Sequence, residues 1–237
     1  YYVGRKIGEI WGYEADGYYT INDFNADDAK HKTWTLKEGV VKINGYNPQP
    51  GDVKFKDLRT DGVINAGDNT VDNPGDRKVI GNDAARYQFG ISLGASYKGW
   101  SLEVLLQGVG KRDYWLGGPA MFPFGGAGAG DAVFQALYAN QTDYWRAKSY
   151  DPSSSDYMVP VNPDSKLFRI YDQGNNVGSN TRVSDKYLQN AAYMRIKNIT
   201  LAYTLPKEWV RRAFIQDAKF YLSIENLATF SSLPKGY

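Results

Sequence analysis

The segment from Asp57 to Asp68 is the first part of the sequence whose residue types and spacing could do chemistry. Its twelve residues follow the pattern of a calcium-binding loop, in which oxygen atoms at set positions bind the ion and a glycine allows a sharp turn. The ligands that this pattern predicts are Asp57, Asp61, the backbone carbonyl of Val63, Asn65 and Asp68.

Two positions depart from that pattern. Arg59 stands where a further acidic or amide ligand is usual, and Asp68 replaces the usual glutamate. A positive charge among the ligands lowers the affinity for a cation. The alternative is a turn in which Asp and Asn side chains accept hydrogen bonds from backbone N–H groups. Both interpretations stay open from the sequence, and calcium is the one cofactor that it suggests.

Catalytic chemistry has little support in the residue types. The chain has no cysteine and one histidine, His31, so a thiolate nucleophile and a two-histidine zinc site are excluded. A Ser-His-Asp triad would depend on His31 in the polar stretch DDAKHKT, where a solvated surface is the simpler interpretation. The run GGAGAG lacks the spacing of a phosphate-binding loop, and no carboxylate pair stands out for glycoside hydrolysis. We predict no catalytic residues and no enzyme activity.

Aromatic residues in glycine-rich and polar stretches are the candidates for binding a ligand. Such side chains stack on sugar rings, but they also pack loops together or contact a partner protein. With Asp, Asn and Arg between them, they suit a glycan or peptide pocket. The residues predicted to contact such a ligand are Tyr114, Trp115, Phe122, Tyr144 and Trp145.

The composition favours strands over helices and gives no sign of a nucleic-acid partner. Lys and Arg number 28 against 26 Asp and Glu, and no basic run occurs. The counts of 19 Tyr, 10 Phe, 6 Trp and 25 Gly are typical of strands and turns. No window of about 18 apolar residues exists, which excludes a transmembrane helix.

Strict alternation of apolar and polar residues predicts a long hairpin. Tyr87–Lys98 alternates throughout, Lys98–Gly99 predicts a tight turn, and a second strand begins at Trp100. The first strand is long enough to cross a bilayer at a tilt, which takes about 9–11 residues. Further strands are predicted at Tyr193–Thr204 and from Ala218, and the change of phase near Lys197–Asn198 predicts a bulge or a strand that leaves the membrane there. The predicted lipid-facing residues are Phe89, Ile91, Leu93, Leu102, Val104, Leu106, Leu222 and Ile224.

Long and short connections alternate between these strands. With a further strand predicted at Tyr1–Tyr13, residues 14–86 and 109–190 are predicted long extracellular loops, and the other connections are short periplasmic turns. This order is typical of an outer-membrane barrel. Because five strands leave open edges that lipid does not tolerate, we expect the chain to be part of a longer barrel.

Four segments, taken in order, resemble SusC/RagA-type TonB-dependent transporters. PGDVKFKDLRTDGVINAGD is similar to the family's pGDikykDlngDGkIn..D, and YKGWSLEVLLQGVG to ykgfdls..fqG..G. AAYMRIKNITLAYTLP resembles sYlRlKnitLgYtlP, and AKFYLSIENLATFSSLPKGY resembles riyvsgqNLftft...gyDPE up to the residue before DPE. Together these segments span nearly the whole chain.

That resemblance implies an all-β fold, with residues 1–237 forming the C-terminal part of one antiparallel transmembrane β-barrel of roughly 22 strands. The plug domain and the last strands are expected to lie outside the chain. The implied function is TonB-dependent import of large nutrients, chiefly glycans, across the outer membrane of a member of the Bacteroidetes. The implied partners are a SusD-like surface lipoprotein, TonB, outer-membrane lipid and a glycan or peptide cargo.

Two other functions stay open from the sequence. A soluble, secreted, glycan-binding β-sandwich would use the calcium loop at 57–68 and fold without detergent. A hydrolase with paired carboxylates would turn over a glycan. Both account for the strands and aromatic residues, but neither accounts for the four matching segments.

Overall fold

A computed structural model of the chain describes residues 4–25, 34–118, 121–122, 137–170, 177–212 and 214–234. Within these ranges the chain is built mainly of antiparallel strands, as predicted.

The strands are β1 Glu9–Tyr13, β2 Ala15–Tyr18, β3 Val53–Phe55, β4 Arg77–Asn82, β5 Arg86–Tyr97, β6 Trp100–Lys111, β7 Asp113–Trp115, β8 Leu188–Asn190, β9 Tyr193–Thr204 and β10 Lys219–Ser231. Among the described residues, short α-helices lie at Val177–Asn180 (α1) and Lys207–Arg211 (α2), and 3₁₀ turns lie at Ile21–Asp23, Ala139–Gln141 and Asp185–Tyr187. No helix in the described part of the chain has the length and apolar character needed to cross a membrane.

The chain divides into two compact units. The loop unit comprises Tyr1–Asn82 and Trp115–Leu188, and the sheet unit comprises Asp83–Tyr114 and Gln189–Tyr237. The two long segments predicted as loops therefore supply most of one compact body, with short strands of its own.

The sheet unit contains one antiparallel sheet in the order β10-β9-β6-β5. Its hairpin turns at Lys98 and Gly99, whose φ angles of 46° and 86° fit a two-residue turn with positive φ at both positions. Tyr97 pairs with Trp100 across it, so the predicted hairpin is confirmed. The second strand is longer than predicted: β6 continues to Lys111, because that end pairs with Arg86.

A bulge at Lys197 interrupts β9, as predicted. On the β6 side, Leu105 pairs with Asn198 and Leu106 with Ile196, which leaves Lys197 without an opposing residue. On the β10 side the register shifts between Glu225 and Ala228. The bulge explains why the alternation of the sequence changes phase here, because one extra residue turns the following side chains to the other face.

The prediction of a barrel strand at Tyr1–Tyr13 needs correction. The strand found there is the shorter β1, which pairs with β4 in the loop unit. Trp11 opposes Val79 and Tyr13 opposes Arg77, so the partner lies in a segment for which the sequence predicted only a loop.

The loop unit has its own hydrophobic core, in which aromatic rings predominate. The ring centroids of Phe122 and Tyr187 lie 4.8 Å apart in a T-shaped contact, and those of Tyr13 and Phe55 lie 5.5 Å apart. Large buried side chains of this kind dominate the energetics of a core. The buried members of this core are Tyr13, Tyr18, Ile43, Val53, Phe55, Ile64, Phe122, Trp145, Ala147, Met158, Leu167, Phe168 and Tyr187.

Candidate functional site

One face of the four-stranded sheet is apolar from end to end. The strand pairings align its side chains in rows across β5, β6, β9 and β10. The middle row is Leu93, Val104, Ile199 and Ile224. The rows on either side are Ile91, Leu106, Ile196 and Ala228, and Ala95, Leu102, Leu201 and Leu222.

Aromatic residues mark both ends of this apolar face. Next to the hairpin turn lies a row of Tyr97, Trp100, Tyr203 and Phe220, in which the rings of Trp100 and Tyr203 are 4.7 Å apart. At the other end Phe89 and Phe230 share a row with Gly108 and Met194. Tyrosine and tryptophan at the two borders of an apolar band form the girdles of membrane barrels.

The apolar face is largely uncovered in the described part of the chain. Leu93 is 56% exposed and Leu222 is 64% exposed. A soluble protein rarely leaves so large a continuous apolar patch exposed. The face therefore has the chemistry of a surface that meets lipid, and its members include every residue predicted to face lipid.

The opposite face of the same sheet is polar. Glu103, Thr200 and Ser223 align across three strands, and the Oγ1 atom of Thr200 lies 2.9 Å from the Oγ atom of Ser223. Asn198 donates from Nδ2 to the same Ser223 oxygen at 2.9 Å, and Arg195 donates from Nε to Thr229 at 3.0 Å. A membrane barrel has polar residues on the face that lines its interior.

The Asp57–Asp68 segment has the hydrogen bonding of a capped turn. Asp57 Oδ2 accepts from the Gly62 N–H at 2.7 Å, and Asn65 Oδ1 accepts from the Gly67 N–H at 2.7 Å. Asp68 accepts from the side-chain amide of Asn73 at 2.8 Å. Each of these side-chain oxygens is thus directed at a protein donor.

Arg59 interacts with the carboxylate that would bind the ion. Its Nε donates to Asp61 Oδ2 at 3.1 Å, and this contact lowers the pKa of the Asp61 carboxyl. Among the described residues, no group of three or more Asp, Glu or His side chains is placed to hold a metal ion. Protein donors thus contact several of these oxygens, whereas Asp57 Oδ1 has no hydrogen-bond partner, and calcium binding by Asp57, Asp61, Val63, Asn65 and Asp68 stays a prediction.

Asp76 is a structural residue of this segment that the sequence reasoning missed. It is fully buried, and its Oδ1 accepts hydrogen bonds from the N–H groups of Leu58 and Arg59 at 3.0 and 3.2 Å. Its Oδ2 accepts from the Asn65 N–H at 2.8 Å. One carboxylate therefore joins both ends of the turn. The Pro74-Gly75-Asp76 turn signal marked the position, but the spacing gave no sign of its partners.

The five aromatic residues predicted to bind a ligand do not form one exposed surface. Phe122 and Trp145 are each 1% exposed in the loop-unit core, so that part of the prediction is corrected: they pack the loops together. Trp115 and Tyr144 are half-buried against the same core, and Tyr114 is exposed. Ligand contact by Tyr114, Trp115 and Tyr144 stays a prediction. His31 lies outside the described residues.

Basic side chains on the loop unit pair with tyrosine rings and carboxylates. The guanidinium carbons of Arg146 and Arg169 lie 5.8 and 5.7 Å from the ring centroids of Tyr144 and Tyr150. Glu14 accepts hydrogen bonds from Lys56 at 2.6 Å and from Lys78, and these two cations lower the pKa of Glu14 to about 2. The loop surface is thus held by paired charges.

Known proteins with similar sequences are TonB-dependent receptors. TonB-dependent receptor P3 of Formosa agariphila is 24% identical over 98% of this chain. The chain resembles the TonB-dependent receptors. TonB-dependent receptor P26 of the same organism is 22% identical over 84% of the chain. The chain spans 18% and 17% of the lengths of these two relatives, and no protein-family model matches it.

A solved structure of similar fold is that of a transporter. The structure of the RagAB peptide transporter matches 98% of this chain and 21% of its own chain, with a TM-score of 0.52 and 16% sequence identity. The predicted antiparallel transmembrane β-fold and outer-membrane location are confirmed by these likenesses. The sheet of this chain, with one apolar and one polar face, resembles a section of the wall of such a barrel.

Proposed function

We propose that the protein containing this chain imports large nutrients across the bacterial outer membrane by a TonB-dependent mechanism. The observation that supports this best is the two-faced sheet, with an exposed apolar face bordered by aromatic residues and a polar opposite face. In this proposal the apolar face contacts lipid, the polar face lines the barrel, and the loop unit lies on the extracellular side. Both sequence relatives are named TonB-dependent receptors. That this chain has no enzyme activity remains a prediction.

A SusD-like surface lipoprotein is the proposed partner on the extracellular side, and TonB supplies the energy through a part of the protein outside this chain. These assignments come from the SusC/RagA resemblance. Co-purification of a lipoprotein with the receptor from detergent-solubilised outer membranes would support the SusD-like lipoprotein as a partner. Isolation of the receptor alone under mild extraction would count against it.

Glycans are the first proposed cargo, as the SusC resemblance implies, and peptides are the second. The likeness to the RagAB peptide transporter favours the second. In the Tyr144–Arg146 and Tyr150–Arg169 pairs, Arg146 and Tyr150 are exposed and suit either class, because rings stack on sugars and guanidinium groups bind carboxylates.

The test begins with the native polypeptide and then separates the cargoes. A heat-modifiable outer-membrane band several times heavier than 26.6 kDa is expected, whereas a soluble 26.6 kDa species would refute import and favour the secreted binding module. Deletion of the gene should then abolish growth on one cargo class as sole nutrient. Loss on oligosaccharides with normal growth on peptides would assign glycans, and the reverse would assign peptides.

A further inference from the structure

The connection between β9 and β10 exposes an unusual group of aromatic and basic side chains. Phe214 is fully exposed and Trp209 is 62% exposed, although both are large apolar residues. Exposed basic residues alternate with them along α2 and the turn that follows. We call this group the turn patch, and it comprises Lys207, Trp209, Arg211, Arg212, Phe214 and Ile215.

The backbone directs Phe214 outwards. The Phe214 N–H donates to the carbonyl of Arg211 at 3.1 Å, and the Ile215 N–H donates to that of Val210 at 3.1 Å, which ends the helix. Phe214 has a φ of 59°, a left-handed conformation that favours glycine at this position. Val210 is the buried residue of α2, whereas Phe214 is fully exposed and gains no packing in return. Bulky residues in such conformations are concentrated at functional sites.

The turn patch continues the aromatic end of the apolar face. The Thr204 N–H donates to the Gly99 carbonyl at 2.8 Å, and the Leu205 N–H donates to the Ala218 carbonyl at 2.9 Å. The connection and the hairpin turn therefore lie at the same end of the sheet. That end carries the row of Tyr97, Trp100, Tyr203 and Phe220.

The basic side chains of the turn patch are available to an anion. Among the described residues, no carboxylate lies within salt-bridge distance of Lys207, Arg211 or Arg212. The nearby turn and the start of β10 add the exposed cations Lys98 and Lys219. The exposed acidic side chains of the connection are Glu208 and Asp217, so positive charge predominates.

An open groove of about 460 Å³ lies within the connection. Lys207 and Arg211 contribute charge to it, and Phe214 and Ile215 contribute apolar surface, with Gln216 and Asp217 completing the lining. The groove therefore offers an occupant both positive charge and apolar surface. A membrane phospholipid complements both, and aromatic residues at the head-group level of a bilayer are a known preference.

We propose that the turn patch binds anionic phospholipid in the periplasmic leaflet of the outer membrane. Lys207, Arg211 and Arg212 contact the phosphate groups, and Trp209 and Phe214 enter the upper acyl region. The proposal rests on the proposed function in one respect, namely that the sheet is part of a barrel wall whose short connections are periplasmic.

The test uses the full-length receptor, extracted from outer membranes, delipidated, and titrated in detergent with either dioleoyl phosphatidylglycerol or neutral dioleoyl phosphatidylcholine. Native mass spectrometry counts the lipids retained. The site variant is Lys207→Gln/Arg211→Gln/Arg212→Gln. The control is Lys37→Gln/Lys148→Gln/Lys166→Gln, which removes three exposed positive charges from the loop unit.

The expected result is a loss of affinity for phosphatidylglycerol of about tenfold or more in the site variant, because each basic residue near an anionic surface contributes several-fold. The control variant should bind like the unaltered receptor. Equal retention of the two lipids by the unaltered receptor, or an unchanged affinity in the site variant, would overturn the proposal.

Phe214→Gly keeps the proposal testable if the triple variant does not assemble. Glycine suits the positive φ, so this variant should fold at least as well, yet it should bind phosphatidylglycerol several-fold more weakly. A photo-crosslinking residue at position 214 should label lipid in intact cells, and a protein adduct would refute the lipid proposal in favour of a periplasmic partner. A receptor that does not fractionate with the outer membrane would refute the proposed function. An outer-membrane receptor without a preference for phosphatidylglycerol would refute only the lipid proposal, so the two failures are distinguishable.

Discussion

The sheet unit and the loop unit place their apolar side chains differently: the sheet unit exposes them on one face, and the loop unit buries them in a core. In the sheet unit, leucine and isoleucine cover an outer face where Leu93 and Leu222 are mostly exposed. In the loop unit, Trp145, Phe168 and Ile64 are buried in a core. Similar residue types thus serve two environments: the first unit leaves its apolar face exposed, as a surface that meets lipid does, and the second unit covers its own.

This difference shows why average hydropathy says little about such a chain. The loop unit folds as a soluble domain does, by burying apolar area from water. The sheet unit satisfies its backbone groups between strands, and it uses side-chain alternation to present one face to hydrocarbon. Substitutions should therefore have effects that depend on the unit in which they lie.

Trp145→Ala should have the largest effect and should act on the loop unit. Removing a buried tryptophan costs about 3–5 kcal/mol, since it leaves a cavity. Its ring also packs where a side chain at Gly51 would otherwise lie. The measurement is the half-life of the extracellular loops during protease digestion of intact cells, which should fall while barrel assembly continues. Tyr144→Ala is the control, because that ring is half-buried; an equal effect of the two variants would contradict the assigned core.

Leu93→Arg should have the next largest effect and should act on the sheet unit. A cation near the bilayer midplane costs about 2–4 kcal/mol on the lipid face of a barrel. Leu93 lies in the middle row of the apolar face, and its neighbour Ser92 lies on the polar face. The yield of heat-modifiable receptor in the outer membrane should fall for Leu93→Arg and stay high for Ser92→Arg. The opposite order of yields would invert the assignment of the two faces.

Asp76→Ala should destabilise the loop unit by about 2 kcal/mol. The substitution removes a charged acceptor from the N–H groups of Leu58, Arg59 and Asn65, and such hydrogen bonds contribute about 1.5–3 kcal/mol. Faster hydrogen exchange at these three amides is the expected observation. Asp68→Ala, which removes an exposed acceptor, should leave them nearly unchanged. If both variants exchange alike, Asp76 does not hold the turn.

Acid should weaken the contacts of Glu14, and this is the smallest effect expected. The folded pKa of Glu14 is lowered to about 2 from an ordinary 4.5, because Lys56 and Lys78 hydrogen-bond to its carboxylate. Between these two values the unfolded chain binds more protons than the folded one, so the contribution of Glu14 is complete above pH 4.5 and is lost as the pH falls towards 2. Protease resistance of the loop unit should fall less steeply with acid in Glu14→Gln. Identical acid profiles would show that these contacts do not stabilise the unit.

The sheet could be predicted from the sequence because its determinants are local. Alternation in β5, the Lys98–Gly99 turn and the change of phase at Lys197 each lie within a few residues. A register slip would turn every side chain to the wrong face, so the pattern specifies the pairing strongly. The lipid-facing residues followed directly from that alternation.

The loop unit could not be predicted in the same way, because its contacts join distant parts of the chain. The Val53 N–H donates to Asn180 Oδ1 at 2.7 Å, and β1 pairs with β4 about 70 residues later. Aromatic residues in a polar stretch are equally compatible with a core and with a ligand surface. For this reason the sequence assigned Phe122 and Trp145 to ligand binding, whereas the structure buries them.

The bulge at Lys197 has a consequence for sequence variation in this strand. A deletion of one residue elsewhere in β9 would move every side chain between that point and the bulge to the opposite face, placing Arg195 or Thr200 in hydrocarbon and Ile196 or Ile199 in the barrel interior. A deletion of Lys197 itself would remove the residue that β6 leaves unopposed and restore regular pairing with β6, although Asn226 and Leu227 of β10 would then lack an opposing residue. Position 197 is therefore a place in β9 where a single residue can be lost while the strand keeps its apolar face aligned with that of β6.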